Sequence, residues 1–475
     1  MKSNNLPRNQ TKRASDSVVA LLFAALTGAL LAGCGSGEAY FTLNQAQVHA
    51  RDMSDEAIDA TYNAEAEDAS VESQRIADEI EAASVFRQEL ADILLALFGT
   101  PDDPDPFLKS KQSESLLTQV GFDIDRLRLA AGPVYSDEQG RQHGLYRLHC
   151  AHCHGVNGNG RGPTGAFLNP YPRDYRQGAF KFKSTWGNAK PTHGDLKRLL
   201  MEGISDTAMP SFRLLPDNEL NALIEYVKYL SVRGQVEILL IGYEGELPDG
   251  GINQIAGGLP LAVDDDGIPE EEPDEDSVVA TVMYSWAVAD QLVIHPVEPQ
   301  VPLLPTADTN NREESTALQE SISRGRLQYF KSECNSCHGT TALGDGDQGQ
   351  YDEWTKAIYE PKDKVIDSRR LAHMLSLGEH PPRPVRPRNL RQGVFRGGRR
   401  PVDLYRRIFT GVNGTPMVKQ GSEQGIKGDD VSDEQAGGPI PRQKIWDLVN
   451  YVMSLQYEPL SRVPVVTEGI DYTLR

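Results

Sequence analysis

Four of the chain's five cysteines fall into two copies of one pentapeptide, Cys150-Ala151-His152-Cys153-His154 and Cys334-Asn335-Ser336-Cys337-His338. Two thiols separated by two residues fit on one helical turn. From there each can form a thioether to a porphyrin vinyl group, and the adjoining imidazole is held under the iron. Cys-x-x-Cys-His is therefore the attachment pattern of a covalently bound haem c. A single copy arises by chance; two copies that use four of five cysteines do not. The expected cofactors are two covalently attached haem c groups, with His154 and His338 as proximal iron ligands.

An iron that only exchanges electrons needs a second axial ligand, drawn from far along the chain so that the fold closes over the haem. Met209 and Met417 meet that requirement. Each ends a matched segment, Gly203-Ile204-Ser205-Asp206-Thr207-Ala208-Met209 and Gly411-Val412-Asn413-Gly414-Thr415-Pro416-Met417. A lone methionine is more often core filler, but two at the same repeat position are candidate sixth ligands. His193 and Met201 compete for the first iron, and His373, Met374 and His380 for the second; none has a counterpart in the other copy. Thioether ligation favours reduced iron and raises the potential. Arg173 and Arg388 are candidate donors to haem propionates, since a guanidinium binds a carboxylate bidentately. Pro163 is the candidate carbonyl for the Nδ1–H of His154, with no clear equivalent after His338.

These residues sit in an internal duplication. Tyr146 and Phe330 each stand four residues ahead of the first cysteine. The stretch Pro172-Arg173-Asp174-Tyr175-Arg176-Gln177-Gly178-Ala179-Phe180-Lys181 is matched by Pro387-Arg388-Asn389-Leu390-Arg391-Gln392-Gly393-Val394-Phe395-Arg396, and Asp195-Leu196 by Asp403-Leu404. Both copies close in an amphipathic helix, containing Leu223-Ile224-Glu225-Tyr226-Val227 and Leu448-Val449-Asn450-Tyr451-Val452. The second copy has extra residues between Cys334 and Pro387, expected to form a surface lobe. Ahead of the first copy, residues 60–100 are Ala/Glu-rich. Phe86, Leu90, Ile93, Leu94 and Leu97 share one helical face there, before a stop at Gly99-Thr100-Pro101.

Residues about 135–235 and 319–458 each resemble the class I cytochrome c family. The resemblance implies a small all-α bundle wrapped around haem, with N- and C-terminal helices crossing, and one-electron transfer as the activity. The whole chain resembles membrane-tethered dihaem cytochromes of respiratory chains. The expected fold is all-α, with two cytochrome c-like haem domains in tandem, an acidic helical N-terminal region and a long linker. The expected boundaries are a lipoprotein signal peptide at 1–33, a tether and acidic helical region at 34–134, and the first domain at 135–235. An acidic Pro/Gly-rich linker at 236–318, the second domain with its insertion at 319–458 and a tail at 459–475 complete the chain.

The formal charge of −20 argues against nucleic acid as a partner. The acidity is uneven. Asp264 to Asp276 packs nine acids, whereas Arg383 to Arg407 holds nine arginines and one acid, Asp403. The arginine stretch is a candidate docking face for an acidic redox partner, or a set of side chains used within the chain. At the N-terminus, Lys2, Arg8, Lys12 and Arg13 precede the apolar run Val18 to Leu31. Leu31-Ala32-Gly33-Cys34 follows and resembles a lipobox. Cys34 is the candidate lipidation site, with an ordinary secretory signal or an uncleaved anchor as alternatives. The expected location is the bacterial cell envelope, membrane-anchored and facing the periplasm. The expected function is single-electron transfer between a quinol-oxidising complex or dehydrogenase and a terminal oxidase, without enzyme activity. The alternatives are a dihaem redox enzyme (a peroxidase or sulfur-compound oxidase, needing one iron with an open, histidine or cysteine distal side) and a haem subunit of a dehydrogenase or oxidase complex.

Overall fold

Asp217–Ile241 is a long helix buried along most of its length: Leu220, Leu223, Ile224, Val227, Leu230 and Val236 all lie inside a core. The computed structural model describes residues 38–52, 70–105, 122–242, 272, 277–347, 351, 368–427, 432 and 437–462. The signal segment with Cys34, most of the acidic linker and part of the insertion lie outside the described residues.

The first half holds α1 (Gln45–Asp52), α2 (Ser70–Phe98) and α3 (Ile124–Ala130), then a two-stranded antiparallel ribbon, β1 (Tyr135–Ser136) and β2 (Gln142–His143). It continues with α4 (Leu145–His149), α5 (Ala151–His154), α6 (His193–Glu202) and α7 (Asp217–Ile241). The second half holds α8 (Val278–Ala287), α9 (Arg312–Lys331), α10 (Cys334–His338), α11 (Ser368–Ser376), α12 (Pro401–Thr410), α13 (Arg442–Ser454) and α14 (Glu458–Ser461). Helix ends follow local chemistry. Thr192 and Asp195 form a capping box at the start of α6, and Gly203, at φ 67°, stops it. The Asn311 side chain caps α9 by accepting from the Glu313 N–H at 3.0 Å.

Helix α7 is the axis of the first core. The face of α2 read from periodicity packs there: Leu90, Leu94 and Leu97 are fully buried, and Phe86 and Ile93 lie against the same cluster. Tyr229 and Tyr226 fasten the end of α2 by donating to the Phe98 carbonyl at 2.7 Å and the Pro101 carbonyl at 3.1 Å. Buried Glu237 accepts from the N–H of Asn44 at the start of α1 at 2.5 Å and pairs with Arg233 at 2.9 Å. The segment between the two motifs also folds: Val278, Val279, Val282 and Met283 of α8 are buried in this core.

The second core forms where α9 crosses α13. Gly325 lets the backbones meet, since a Cβ there would sit 2.0 Å from the Asp447 carbonyl oxygen. Asp447 secures the crossing by accepting from Ser321 at 2.6 Å and from Arg324 at 2.9 and 3.0 Å. Residues 294–304 wrap this core, with the Trp446 indole N–H donating to the Val297 carbonyl at 2.8 Å. The two cores are cross-braced. Trp186, from the first half, is buried in the second cluster, edge-on to Phe409 at 5.5 Å. Arg198 of α6 donates to the Gly397 carbonyl at 3.0 Å, and the Gly187 N–H donates to the Thr410 hydroxyl at 2.9 Å.

Gly325→Ala should therefore force α9 and α13 apart. A loss of about 3 kcal/mol is expected, the upper end of ordinary overpacking. Chemical denaturation followed by helical circular dichroism checks it; an unchanged midpoint would contradict the close crossing.

Candidate haem sites

The turn that carries the first pentapeptide is built to present its histidine. Helix α4 runs into α5, and buried Tyr146 donates its hydroxyl to the Gly155 carbonyl at 2.9 Å. Gly155, at φ 74°, then reverses the chain. A loop follows in which the Gly160 N–H donates to the His154 carbonyl at 2.9 Å and the Gly162 N–H to that of Cys153 at 3.0 Å. The packing leaves no room for side chains: a Cβ on Gly160 would lie 2.6 Å from the Pro172 oxygen, and one on Gly162 2.4 Å from that of Ala151. The curl brings residues 172–175 beneath His154. Its Nδ1 lies 3.0 Å from the Arg173 carbonyl oxygen, and its ring stacks on Tyr175 at 4.5 Å.

A carbonyl can only accept, so Nδ1 carries the proton and Nε2 keeps its lone pair for a metal. Burial pulls the His154 pKa down to about 4, which keeps the imidazole neutral at pH 7. Burial likewise pushes the Cys150 thiol up to about 12 and Cys334 to about 11. Thiols held neutral in this way are poor thiolate ligands and poor disulfide exchangers. The carbonyl expected from Pro163 comes from Arg173 instead: the glycine loop carries residues 172–175, and not Pro163, under the imidazole.

The opposing loop is equally specified. After Gly203, the Ile204 N–H donates to the Met209 carbonyl at 3.2 Å, and the Thr207 hydroxyl donates to that of Ile204 at 2.7 Å. The same hydroxyl accepts from the Met209 N–H at 3.1 Å. Cys150, Cys153, His154, Arg173 and Met209 all line one cavity of about 1100 Å³. Leu196, Leu200, Leu223 and Val227 give it an apolar wall. The second half of the chain adds polar lining, including Arg388 and Arg396. Arg388 Nε and Nη2 and Arg396 Nε are buried there without a hydrogen-bond partner. This donor set fits an amphiphilic porphyrin: thiols and a neutral imidazole for attachment, apolar walls for the macrocycle, and unpartnered guanidinium nitrogens for carboxylates.

The second pentapeptide repeats the backbone hydrogen bonds of the loop. His338 Nδ1 lies 3.1 Å from the Arg388 carbonyl oxygen, the matched position to Arg173. Gly344 N–H donates to the His338 carbonyl at 2.8 Å, and Gly346 N–H to that of Cys337 at 3.2 Å. Gly339 takes φ 81° in place of Gly155, and Ala342 takes φ 60° where the first copy has Gly158 at 69°. Around Met417, Thr415 donates to the Val412 carbonyl at 2.8 Å and accepts from the Met417 N–H at 3.3 Å. Met417 is 37% exposed. The counterpart of Tyr146 is Tyr329, which donates to the Gly339 carbonyl at 2.7 Å. Phe330, four residues before Cys334, does not take that role, because an extra residue, Glu333 at φ 55°, stands before the cysteine.

Three of the competing residues, His193, Met374 and His380, have other neighbours. His193 Nε2 lies 3.1 Å from the Asn221 side-chain oxygen on α7. Met201 is exposed, and Met374 is buried against Ala46. His380 stacks on Tyr171 at 4.4 Å, at the rim of the first cavity. Sequence reading missed Asp206, which lies in a matched segment but differs in type between the copies, and it held Arg396 only as part of the Arg383 to Arg407 stretch.

The sequence model of the cytochrome c family matches residues 141–231. These residues form a cytochrome c domain. Such a domain binds haem c covalently and uses it for electron transfer. The match begins beside β2 and ends inside α7, so it spans the Cys-x-x-Cys-His turn, the glycine loop and the Met209 loop. A chain of the reducing HAO-like protein complex of Kuenenia stuttgartiensis is similar at 23% identity, covering 68% of this chain and 97% of its own, with a TM-score of 0.38. No curated protein sequence matches the chain.

Proposed function

We propose that the chain is a dihaem c-type cytochrome that passes single electrons between respiratory-chain partners. In this reading the second Cys-x-x-Cys-His segment belongs to a second cytochrome c domain, with His338 and Met417 as its iron ligands. The observation that carries the reading is the recurrence of one hydrogen-bond frame around both pentapeptides, down to the carbonyl that fixes each imidazole. Bound haem c supplies a one-electron couple. The chain's own residues hold the imidazole neutral, keep it in one tautomer, bring a thioether to the same cavity and exclude water with leucine and valine. A haem iron held by His154 and Met209 would have no open face for a substrate, which supports carriage of electrons over peroxidase or sulfur-compound oxidase activity. Its partners would be a quinol-oxidising complex or dehydrogenase on one side and a terminal oxidase on the other. We further propose anchorage at the periplasmic face through a lipid on Cys34, resting on the Leu-Ala-Gly-Cys sequence alone.

Intact mass under denaturing conditions, after expression in a host competent for cytochrome c maturation, should show two added haems. Cys150→Ala with Cys153→Ala should remove one and leave one; a wild type carrying a single haem would contradict the second domain. Met209→His should lower the potential of one haem, because imidazole stabilises ferric iron better than a thioether does. A redox titration reads this, and an unchanged curve would remove Met209 as a ligand. Cys34→Ser should release soluble holoprotein or leave an uncleaved precursor. Fractionation identical to wild type would exclude lipid at that residue as the anchor.

A further inference from the structure

We infer that Arg388 and Arg396, carried by the second half of the chain, clamp the carboxylates of the haem held by the first, so that the first haem site is completed from across the chain. The inference rests on the haem reading above and deepens it.

Arg388 faces two ways. Its carbonyl oxygen fixes the imidazole of His338 at 3.1 Å. Its side chain lines the cavity of the other pentapeptide, the one with Cys150, His154 and Met209. There it meets Asp206, three residues before Met209. Asp206 accepts from Arg388 Nη1 and from Arg396 Nη2 at 3.1 Å, and its backbone carbonyl accepts from Arg396 as well. Two guanidinium groups thus converge on one carboxylate.

The charges do not balance. Two cations face one anion, and Arg388 Nε and Nη2 and Arg396 Nε are buried with no acceptor. Buried N–H groups left without an acceptor cost free energy that a second carboxylate would recover. Burial first, and then the neighbouring Arg388 charge, holds Arg396 below the usual arginine range, as expected of a cation pair short of an anion. A haem brings two carboxylates attached to an apolar ring, and the cavity has unpartnered donors in its polar lining. The fork geometry of the guanidinium suits carboxylate in particular.

Two consequences follow. Cations beside a haem stabilise its reduced form, which carries one more electron, so this pair should raise the potential of the first haem. One residue would also tie both haem sites, by its carbonyl on one side and its guanidinium on the other.

The test is a redox titration of full-length holoprotein, resolved into two components, with Cys334→Ala/Cys337→Ala identifying the component of the first haem. Arg388→Gln with Arg396→Gln should shift the first component to lower potential and leave the second in place. Arg399→Gln, the same charge change as Arg396→Gln alone but at an exposed arginine outside the cavity, should move neither. A first component unmoved in the double variant overturns the clamp, and so does a shift confined to the second component. If the double variant loses haem, Arg396→Gln alone is decisive, because its backbone holds no ligand. A smaller fall in the first component supports the proposal, and no fall overturns it. Haem content by mass is read in parallel, so failure of the two-haem reading would appear as a missing haem and not as an unmoved potential.

Discussion

Both halves of the site hang on one hydrogen bond each, from the proximal imidazole to a backbone carbonyl, Arg173 for His154 and Arg388 for His338. That bond selects the tautomer and aims the free nitrogen, and a backbone acceptor cannot titrate away. To deliver the carbonyl, the chain must turn sharply after the histidine and pass close beneath it. Gly155, Gly160 and Gly162, with Gly339, Gly344 and Gly346 in the second copy, follow from that geometry, since a Cβ at any of them would overlap a neighbouring atom. The 3-10 turn at Tyr175–Gln177, capped by the Asp174 side chain, closes the same loop, and Leu390–Gln392 under Asn389 repeats it.

The arginine-rich stretch shows how charge is used inside the molecule. Arg383 lies over the Tyr171 ring at 3.9 Å and donates to the Ala166 carbonyl at 2.9 Å. Arg391 donates to the Thr341 carbonyl at 2.6 Å. Arg400 holds Asp403 at 2.8 Å. Arg386 and Arg399 are exposed. Of the nine arginines, Arg383, Arg388 and Arg396 thus reach the first half of the chain, while Arg391, Arg400, Arg406 and Arg407 bond within the second.

Sequence reading recovered what spacing encodes. The pentapeptides, the Met209 and Met417 loops, the apolar face of α2 and the glycine-ended turns were all legible, because each is a local pattern with a local cause. What was missed depends on the path of the backbone. The identity of the carbonyl under each imidazole is invisible in a side-chain pattern; only the matched Pro-Arg dipeptides hinted at it. Phe330 was paired with Tyr146 by counting, but the left-handed Glu333 shifts the register by one, and the hydroxyl that matters belongs to Tyr329. Arg388 was assigned to its own copy, and only the three-dimensional packing carries its side chain into the other cavity. Helix α8 falls in the stretch read as linker, and its place against α7 is set by tertiary packing.

Trp186 belongs to the first half of the chain, yet it is buried against Phe409 of the second half. A molecule that arose by doubling a gene segment would begin as two interchangeable parts. Once an indole from one part fills the interior of the other, neither can be swapped, deleted or recombined without leaving a hole. The doubling has become irreversible, and from then on the two halves can only change together.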